Sequence, residues 1–592
     1  MAVEQLITQH IDTWTSALRT RSTAGRGTSG KIDLYGIKKL RELILELAVR
    51  GKLVPQDPND EPASKLLKRI AAEKAELVKQ GKIKKQKSLP EISEDEKPFE
   101  LPRGWQWARL QDITSYIQRG KGPTYDENGT VYVVSQKCVQ WTGFDLTSAR
   151  FISDTTISKY GDERFLRKHD LLWNSTGTGT AGRIIELPSV AFKRLVADSH
   201  VTVIRPLSTL SSFLCSYISS FGIQSRIEPN HENALVSGTT NQVELSNSAV
   251  SSLPVPIPPS NEQNKIATTV QSLLSFCDQL EQQSLTSLEA HSQLVETLLS
   301  TLTDSQNAEE LAENWARISQ HFDTLFTTEA SIDALKQTIL QLAVMGKLVP
   351  QDPTDEPASE LLKRIEQEKA QLVKEGKIKK QKPLPPISEE EKPFELPVGW
   401  EWVRFGDIGI IRGGGTPSKN NQEYWSGSIP WVSPKDMKVD YISRTELNIS
   451  VSAITNSSVH YIPINSLLFV VRGMILSHTF PVAINTKEVT INQDMKAITS
   501  NLFNTDFLLS LMKGFSTVVL KRVERSSHGT CKLVSDKLFN LQLPVPSLDE
   551  QMRINVRVTE LFSICDSLKS RLQSAQQTQL YLADALTDAA LN

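Results

Sequence analysis

Residues 40–107 recur almost unchanged at residues 335–402. The stretch LRELILELAVRGKLVPQDPNDEPASKLLKRI through FELPRGWQW becomes LKQTILQLAVMGKLVPQDPTDEPASELLKRI through FELPVGWEW, with 52 of 68 positions identical at an offset of 295. Chance does not produce such a match, so the chain is two copies of one unit. A second match pairs LPVPIPPSNEQNKIATTVQSLLSFCDQLE from residue 253 with LPVPSLDEQMRINVRVTELFSICDSLK from residue 543. It places Cys277 on Cys565 and Asp278 on Asp566 at an offset of 288. ITQHIDTW at 7–14 also echoes ISQHFDTLF at 318–326. Between the matching blocks, residues 108–252 and 403–542 have similar lengths and little common sequence. Segments kept alike within one chain point to identical partners or to packing on one another, and unlike segments point to different ligands. A duplication with one recombined insert would leave the same pattern.

A chain of 592 residues exceeds what one hydrophobic core organises. We divide it into residues 1–104 and 253–399, which carry the repeated helical blocks and linkers, residues 105–252 and 400–542, two variable domains, and a final helix at 543–592. Hydrophobic residues at 39% and charged residues at 23% are ordinary for globular protein, and no apolar run reaches the roughly 18 residues of a membrane span. The amphipathic, acidic N-terminus does not resemble a signal peptide, so a cytoplasmic location is expected. Five cysteines, with no CxxC pair, suggest neither a disulfide framework nor a zinc site. The net charge of −2 argues against a uniformly basic nucleic-acid binder. Its distribution is less discouraging: residues 105–252 sum to +1 and residues 400–542 to +4.

Periodicity predicts the helices. Ile266, Val270, Leu273, Cys277 and Leu280, continuing through Leu288, His291, Leu294 and Leu298, step by four and three as a coiled-coil seam does. Ile554, Val558, Leu561, Cys565, Leu568 and Leu572, running on to Leu582 and Leu586, repeat it, which predicts two helices of about forty residues, paired antiparallel. Each repeated block predicts a short helix (40–49, 335–344) stopped by Gly51 or Gly346 and VPQDP, then a helix from the PAS tripeptide to Gly81 or Gly376. KIKKQK and an acidic, proline-containing stretch then read as a solvated tether. The variable domains read as strand-rich, through VYVVSQKCV, RIIEL and VTVIRP in the first and IPWVS, SLLFVVRG and EVTIN in the second.

Gly177, Gly179 and Gly182 in LLWNSTGTGTAGR have GxGxxG spacing after a strand. A dinucleotide fold would need a helix to begin there, yet RIIELPSVAF continues as strand and turn. A loop of Asn, Ser and Thr closed by Arg183 instead offers donors to a phosphate or a base edge. No Walker loop, nucleophile elbow, metal-spaced His or Cys cluster, or Asn-Pro-Pro-aromatic methyltransferase motif is present. Two other readings stay open: an enzyme binding a dinucleotide or methyl donor around Gly177–Gly182, and a scaffold that binds only protein.

At this point the motifs match a known family. GWxW at 104–107 and 399–402, NSTGTGTAGR at 174–183, GGGTPSKNNQEYW with IPWVSPKDM at 413–437, SGTTNQ at 237–242, SSHGTCK at 526–532 and the helix-opening Glu-Gln at 262–263 and 550–551 resemble the specificity subunits of type I restriction-modification enzymes. The doubled GKLVPQDP and EPAS blocks resemble their larger subgroup. The resemblance implies an α+β chain with two mixed α/β target recognition domains separated by long antiparallel coiled-coil helices in a pseudo-two-fold tandem duplication. It also implies a non-catalytic role, in which each domain reads half of a bipartite, asymmetric site in double-stranded DNA. Two modification subunits would dock on the helical parts, with motor and restriction subunits completing a phage-defence complex. S-adenosylmethionine, ATP and Mg would belong to those partners, leaving this chain with no cofactor, metal or catalytic residue. Carried over by position, DNA contacts in the first domain would come from Arg119, Lys121, Tyr125, Asn174, Ser175, Thr176, Thr178, Thr180, Arg183, Asn241 and Gln242. In the second they would come from Thr416, Ser418, Lys419, Lys435, Arg472, Asn492, Gln493, Lys496, Arg525, Ser527, His528, Thr530 and Lys532. The glycine-rich loop has no sequence counterpart in the second domain, nor GGGTPS in the first, so contacts are not expected to transfer between halves.

Overall fold

The structure, a computed structural model, describes residues 3–21, 31–177, 179–189, 194–239, 242–380, 382–525 and 529–591. It divides into two compact units. The first comprises residues 1–20, 32–286 and 576–592, and the second residues 21–31 and 287–575. Each long helix therefore contributes to both units.

In the first unit, Leu40, Leu43, Ile44 and Leu47 recur at helical spacing, and all are buried along the helix Tyr35–Val49. Gly51, at φ +67°, ends that helix, and a Cβ there would meet the Pro102 ring. A second helix, Ala63–Lys79, buries only Ala63, Leu66 and Ile70. The second unit repeats both as Glu329–Val344, capped by Thr328, and Ala358–Lys374, with Gly346 again at φ +67°. Arg41 pairs with Asp278 on the adjoining long helix of the first unit, and Lys336 with Asp566 in the second.

Each variable domain begins and ends on one two-stranded ribbon. Gln106–Arg109 pairs antiparallel with Pro254–Ile257, and Glu401–Arg404 with Gln542–Val545. The ribbons match at the 295 and 288 offsets, so the letters LPVP, at 253–256 and 543–546, lie two residues out of structural step. Where the incoming strand meets the long helix, Trp105 Nε1 donates to Glu262 at 2.9 Å and Trp400 Nε1 to Glu550 at 2.9 Å. Burial raises both carboxyl pKa values. The next residue fastens the domain's helix: the Gln263 amide takes Leu210 N–H and donates to Pro258 O, as Gln551 does with Asn504 and Pro546.

The acidic end of the tether is not free, as its sequence had suggested, although the lysines of KIKKQK are exposed. Arg109, buried at the end of its strand, takes the Glu96 carboxylate at 2.9 Å and the carbonyls of Pro90, Glu91 and Ser252. Arg404 does the same with Glu391 at 2.8 Å and with Pro385, Pro386 and Asn540. Proline leaves those tether carbonyls without a regular ladder, and one planar guanidinium gathers them.

The long helices run Ser260–Asp304 and Leu548–Leu591, 45 and 44 residues. Their seam departs from the expected one in its second half. Leu294 is 51% exposed while Val295, Leu299 and Leu302 are buried, and Leu582 is 45% exposed while Leu580 and Ala583 are buried. A straight helix of 3.6 residues per turn drifts from a strict 3.5 repeat, so the buried row steps to a neighbouring position after several turns.

The two Arg–Glu clamps make stability pH-dependent. The guanidinium hydrogen bonds hold Glu96 and Glu391 down to about 2, below their ordinary 4.5. A carboxylate depressed in this way stabilises the fold above pH 4.5 and loses that contribution as pH falls toward 2. Denaturant unfolding of Glu96→Gln and Glu391→Gln between pH 5 and 2 should give a flatter acid limb than the unmodified chain. The substitutions isolate the clamps from Glu262 and Glu550, whose raised pKa works in the opposite sense.

Candidate nucleic-acid interface

In the first domain an antiparallel sheet has the order Ile184–Glu186, Leu171–Asn174, Val201–Pro206, Thr114–Arg119. The domain's three candidate segments, 119–125, 174–183 and 237–242, approach one another at one end of it. The loop after Leu171–Asn174 bridges the hairpin Val236–Thr239/Gln242–Leu245 through Thr176 and Glu244. Arg119 ends its strand in an ion pair with Glu244 and donates Nε to Ser199 O at 3.1 Å. Thr176 Oγ1 lies 2.6 Å from His200 Nδ1. Beneath the loop, Thr180 donates to Gln136 at 3.0 Å, and Arg183 to Gln140 and to Gly179 O. After Gly182 the chain continues as the strand Ile184–Glu186, so no helix N-terminus is available to a pyrophosphate and the GxGxxG spacing is not a dinucleotide site.

The second domain's sheet begins with Ile410–Gly413, Met495–Thr499, Leu467–Val470 and Val482–Asn485 in order. Its backbone bonds repeat those of the first domain. Gly120 N–H donates to Val201 O and Lys121 N–H to Ala197 O; Gly414 N–H donates to Met495 O and Gly415 N–H to Ile491 O. A parallel pair, Val131–Val134 beside Leu195–Ala197, reappears as Ile429–Val432 beside Thr490–Ile491. Asp198 N–H bonds to Val134 O as Asn492 N–H does to Val432 O. Two domains with little common sequence share one topology, and the unlike loops hold equivalent places. The letters of the two loops do not align, as expected, but the backbone supplies a correspondence of position between the halves.

Several expected contacts stand at this end. Lys121, Tyr125, Ser418, Lys419, Lys435, Arg472, Gln493, Arg525, Thr530 and Lys532 are exposed. Tyr125 lies under the Arg150 guanidinium at 3.9 Å, Lys121 is 5.7 Å from the Tyr160 ring, and Thr416 bonds Gln493. Others do not present their side chains. Asn174 and Ser175 are fully buried, Asn174 donating to Gln136 O and Ser175 bonded to Thr202. Asn492 is buried and its Oδ1 takes Asp494 N–H at 3.0 Å. Lys496 is drawn 5.5 Å from the Phe539 ring, where burial lowers its pKa. Asn174, Ser175 and Asn492 lie inside and brace their loops, and Lys496 is turned toward the Phe539 ring. Thr178, Asn241, Ser527 and His528 lie outside the described residues, as does the Gln242 side chain.

Three residues were passed over. Lys137 stands where Lys435 does, each second after a serine at the end of the matched parallel strand, in VVSQK and WVSPK. That three-letter echo was legible. Glu244 and His200 were not, since only the fold brings them to Arg119 and Thr176. Among the described residues no group of His, Cys, Asp and Glu could hold a metal ion, and no helix is long and apolar enough to cross a membrane.

Two domains of one topology, each carrying its own polar side chains on a common backbone, define a two-site recognition scaffold. The sequence profile of the type I restriction modification DNA specificity domain matches residues 102–290 and again residues 397–576. Over the whole of both chains the protein is 49% identical to the type I restriction enzyme EcoEI specificity subunit and 48% identical to the EcoAI specificity subunit, both of Escherichia coli. A solved structure concerned with assembly and conformational transition of the type I R-M system aligns with 84% of this chain and 99% of that chain, at 16% identity and a TM-score of 0.48. The chain belongs to the specificity subunits of type I restriction-modification enzymes. Its role is DNA recognition without catalysis.

Gly120 and Gly414 test the shared backbone. A Cβ at Gly120 would overlap the carbonyl oxygens of Ala197 and Asp198, and one at Gly414 those of Ile491 and Asn492. Gly120→Ala or Gly414→Ala should cost about 2 kcal/mol or more in urea unfolding. Each should also weaken DNA binding by the assembled complex in gel shifts, through displacement of its loop.

Proposed function

We propose that each recognition domain reads one half of a bipartite, asymmetric target in double-stranded DNA. The repeated helical parts dock two copies of one modification subunit. The observation that carries this reading is the unevenness of the duplication: 52 of 68 positions agree in the helical block, while the recognition domains keep only their topology. Like surfaces suit two like partners, and unlike side chains on one backbone suit two different half-sites. The long helices lie antiparallel and act as the ruler between domains, a reading supported by each unit's taking the first part of one helix and the last part of the other. At about 1.5 Å per residue a 45-residue helix spans roughly 70 Å, so half-sites about one DNA turn apart are within reach.

In this division of labour the modification subunits bring S-adenosylmethionine and methylate adenine, and restriction subunits bring ATP and Mg. This chain supplies sequence choice alone. Arg, Lys, Asn and Gln at the reading end suit bidentate contact with guanine or adenine edges in the major groove. Replacing residues 105–252 with the corresponding domain of another specificity subunit, in a reconstituted methyltransferase, tests the reading. Sequencing of methylated bases should show a new first half-site and an unchanged second one, whereas alteration of both halves would refute modular readout.

A further inference from the structure

The matched backbone allows the two reading ends to be compared position by position, where their letters do not align. Ser175 N–H donates to His200 O, and Val471 N–H to Asp494 O. Leu245 N–H donates to Ser175 O, and Leu533 N–H to Val471 O. Isolated bridges join Thr176 to Glu244 and Arg472 to Lys532. The Asp198 carboxylate takes His200 N–H at 2.8 Å, as the Asn492 amide oxygen takes Asp494 N–H at 3.0 Å. Residues 176 and 472 therefore occupy one place, 200 and 494 a second, and 244 and 532 a third.

The chemistry differs at all three. The first domain has a hydrogen-bonded Thr176–His200 pair beside the acidic Glu244, whose charge Arg119 balances. The second has a cationic Arg472, its guanidinium 3.9 Å from Asp494, beside the exposed Lys532. Arg119 has no counterpart there, since Gly413 holds its register position. Around these places Gly120 with Gly414, and the buried Val134 with Val432 and Leu245 with Leu533, keep their character, while the buried Ser175 becomes Val471. The three changed places are open to solvent or nearly so.

We propose that these three matched places are where the half-sites are told apart, with His200, Glu244 and Asp494 acting as specificity-determining residues alongside Thr176, Arg472 and Lys532. The inference rests on the two-half-site reading above. Its ligand is the major-groove edge of duplex DNA, where a carboxylate accepts from the cytosine amino group and Arg or Lys donates to guanine. The internal bonds of each cluster hold these side chains in place until base edges exchange with them.

The test uses the methyltransferase reconstituted with the full chain, acting on a random-sequence DNA library read by methylated-base sequencing. The unmodified chain must first yield a bipartite motif; a motif without two halves would sink the underlying reading rather than this one. Glu244→Gln with His200→Asn should then relax or change one or two base positions of the first half only, with roughly ten- to hundredfold loss of discrimination. Lys532→Gln with Asp494→Asn should do the same to the second half only. An unchanged motif, or equal weakening on every sequence, would overturn the proposal, because the latter marks a phosphate contact. Glu244→Gln and Lys532→Gln alone, both at exposed positions, keep the test decisive if a double variant fails to fold.

Discussion

Everything above the helices rests on one buried hydrogen bond, made twice. An indole N–H from the incoming strand meets a carboxylate in the first turn of a long helix, Trp105 on Glu262 and Trp400 on Glu550. The carboxylates are 2–3% exposed, so losing either tryptophan would leave a buried acceptor unpaired, at a cost of about 1–3 kcal/mol. The bond fixes the angle at which a recognition domain leaves its helix. The neighbouring glutamine fastens the domain's own helix to the same turn. With both bonds made, the ribbon and the domain's own helix are fastened to one turn, which limits play at that junction.

The helical half of the fold was legible because its signals are local. Gly51 and Gly346, the proline after each, and the four-three spacing of apolar residues place helix ends within a few residues. The drift of the seam near Leu294 and Leu582 was not legible, since a heptad written on paper does not record helix twist. The tether misled for another reason. Its charges suggest solvent, and only folding brings Arg109 and Arg404 against carbonyls far away in sequence.

The recognition domains show the same division more sharply. Exposed polar residues after strands, such as Lys121, Lys435 and Arg472, could be named by position from the family resemblance. Asn174, Ser175 and Asn492 have the same composition and lie inside, so residue type alone does not separate a reading side chain from one that braces its loop. Glu244 and His200 have no motif, and their importance arises from pairing across strands. Topology survived between the halves where sequence did not because backbone bonds tolerate almost any side chain, whereas base recognition is made of side chains.

The two-stranded ribbon at the foot of each domain has a further meaning. Incoming and outgoing chains run side by side there, so a domain is attached much as a bulb is screwed into a socket, by adjacent contacts at one end. Both ends of a domain thus return to one place on its helical part, at Arg109 with Pro254 and at Arg404 with Gln542. On the two-half-site reading proposed above, one head exchanged at that place would bring a new target while the repeated blocks keep their surfaces.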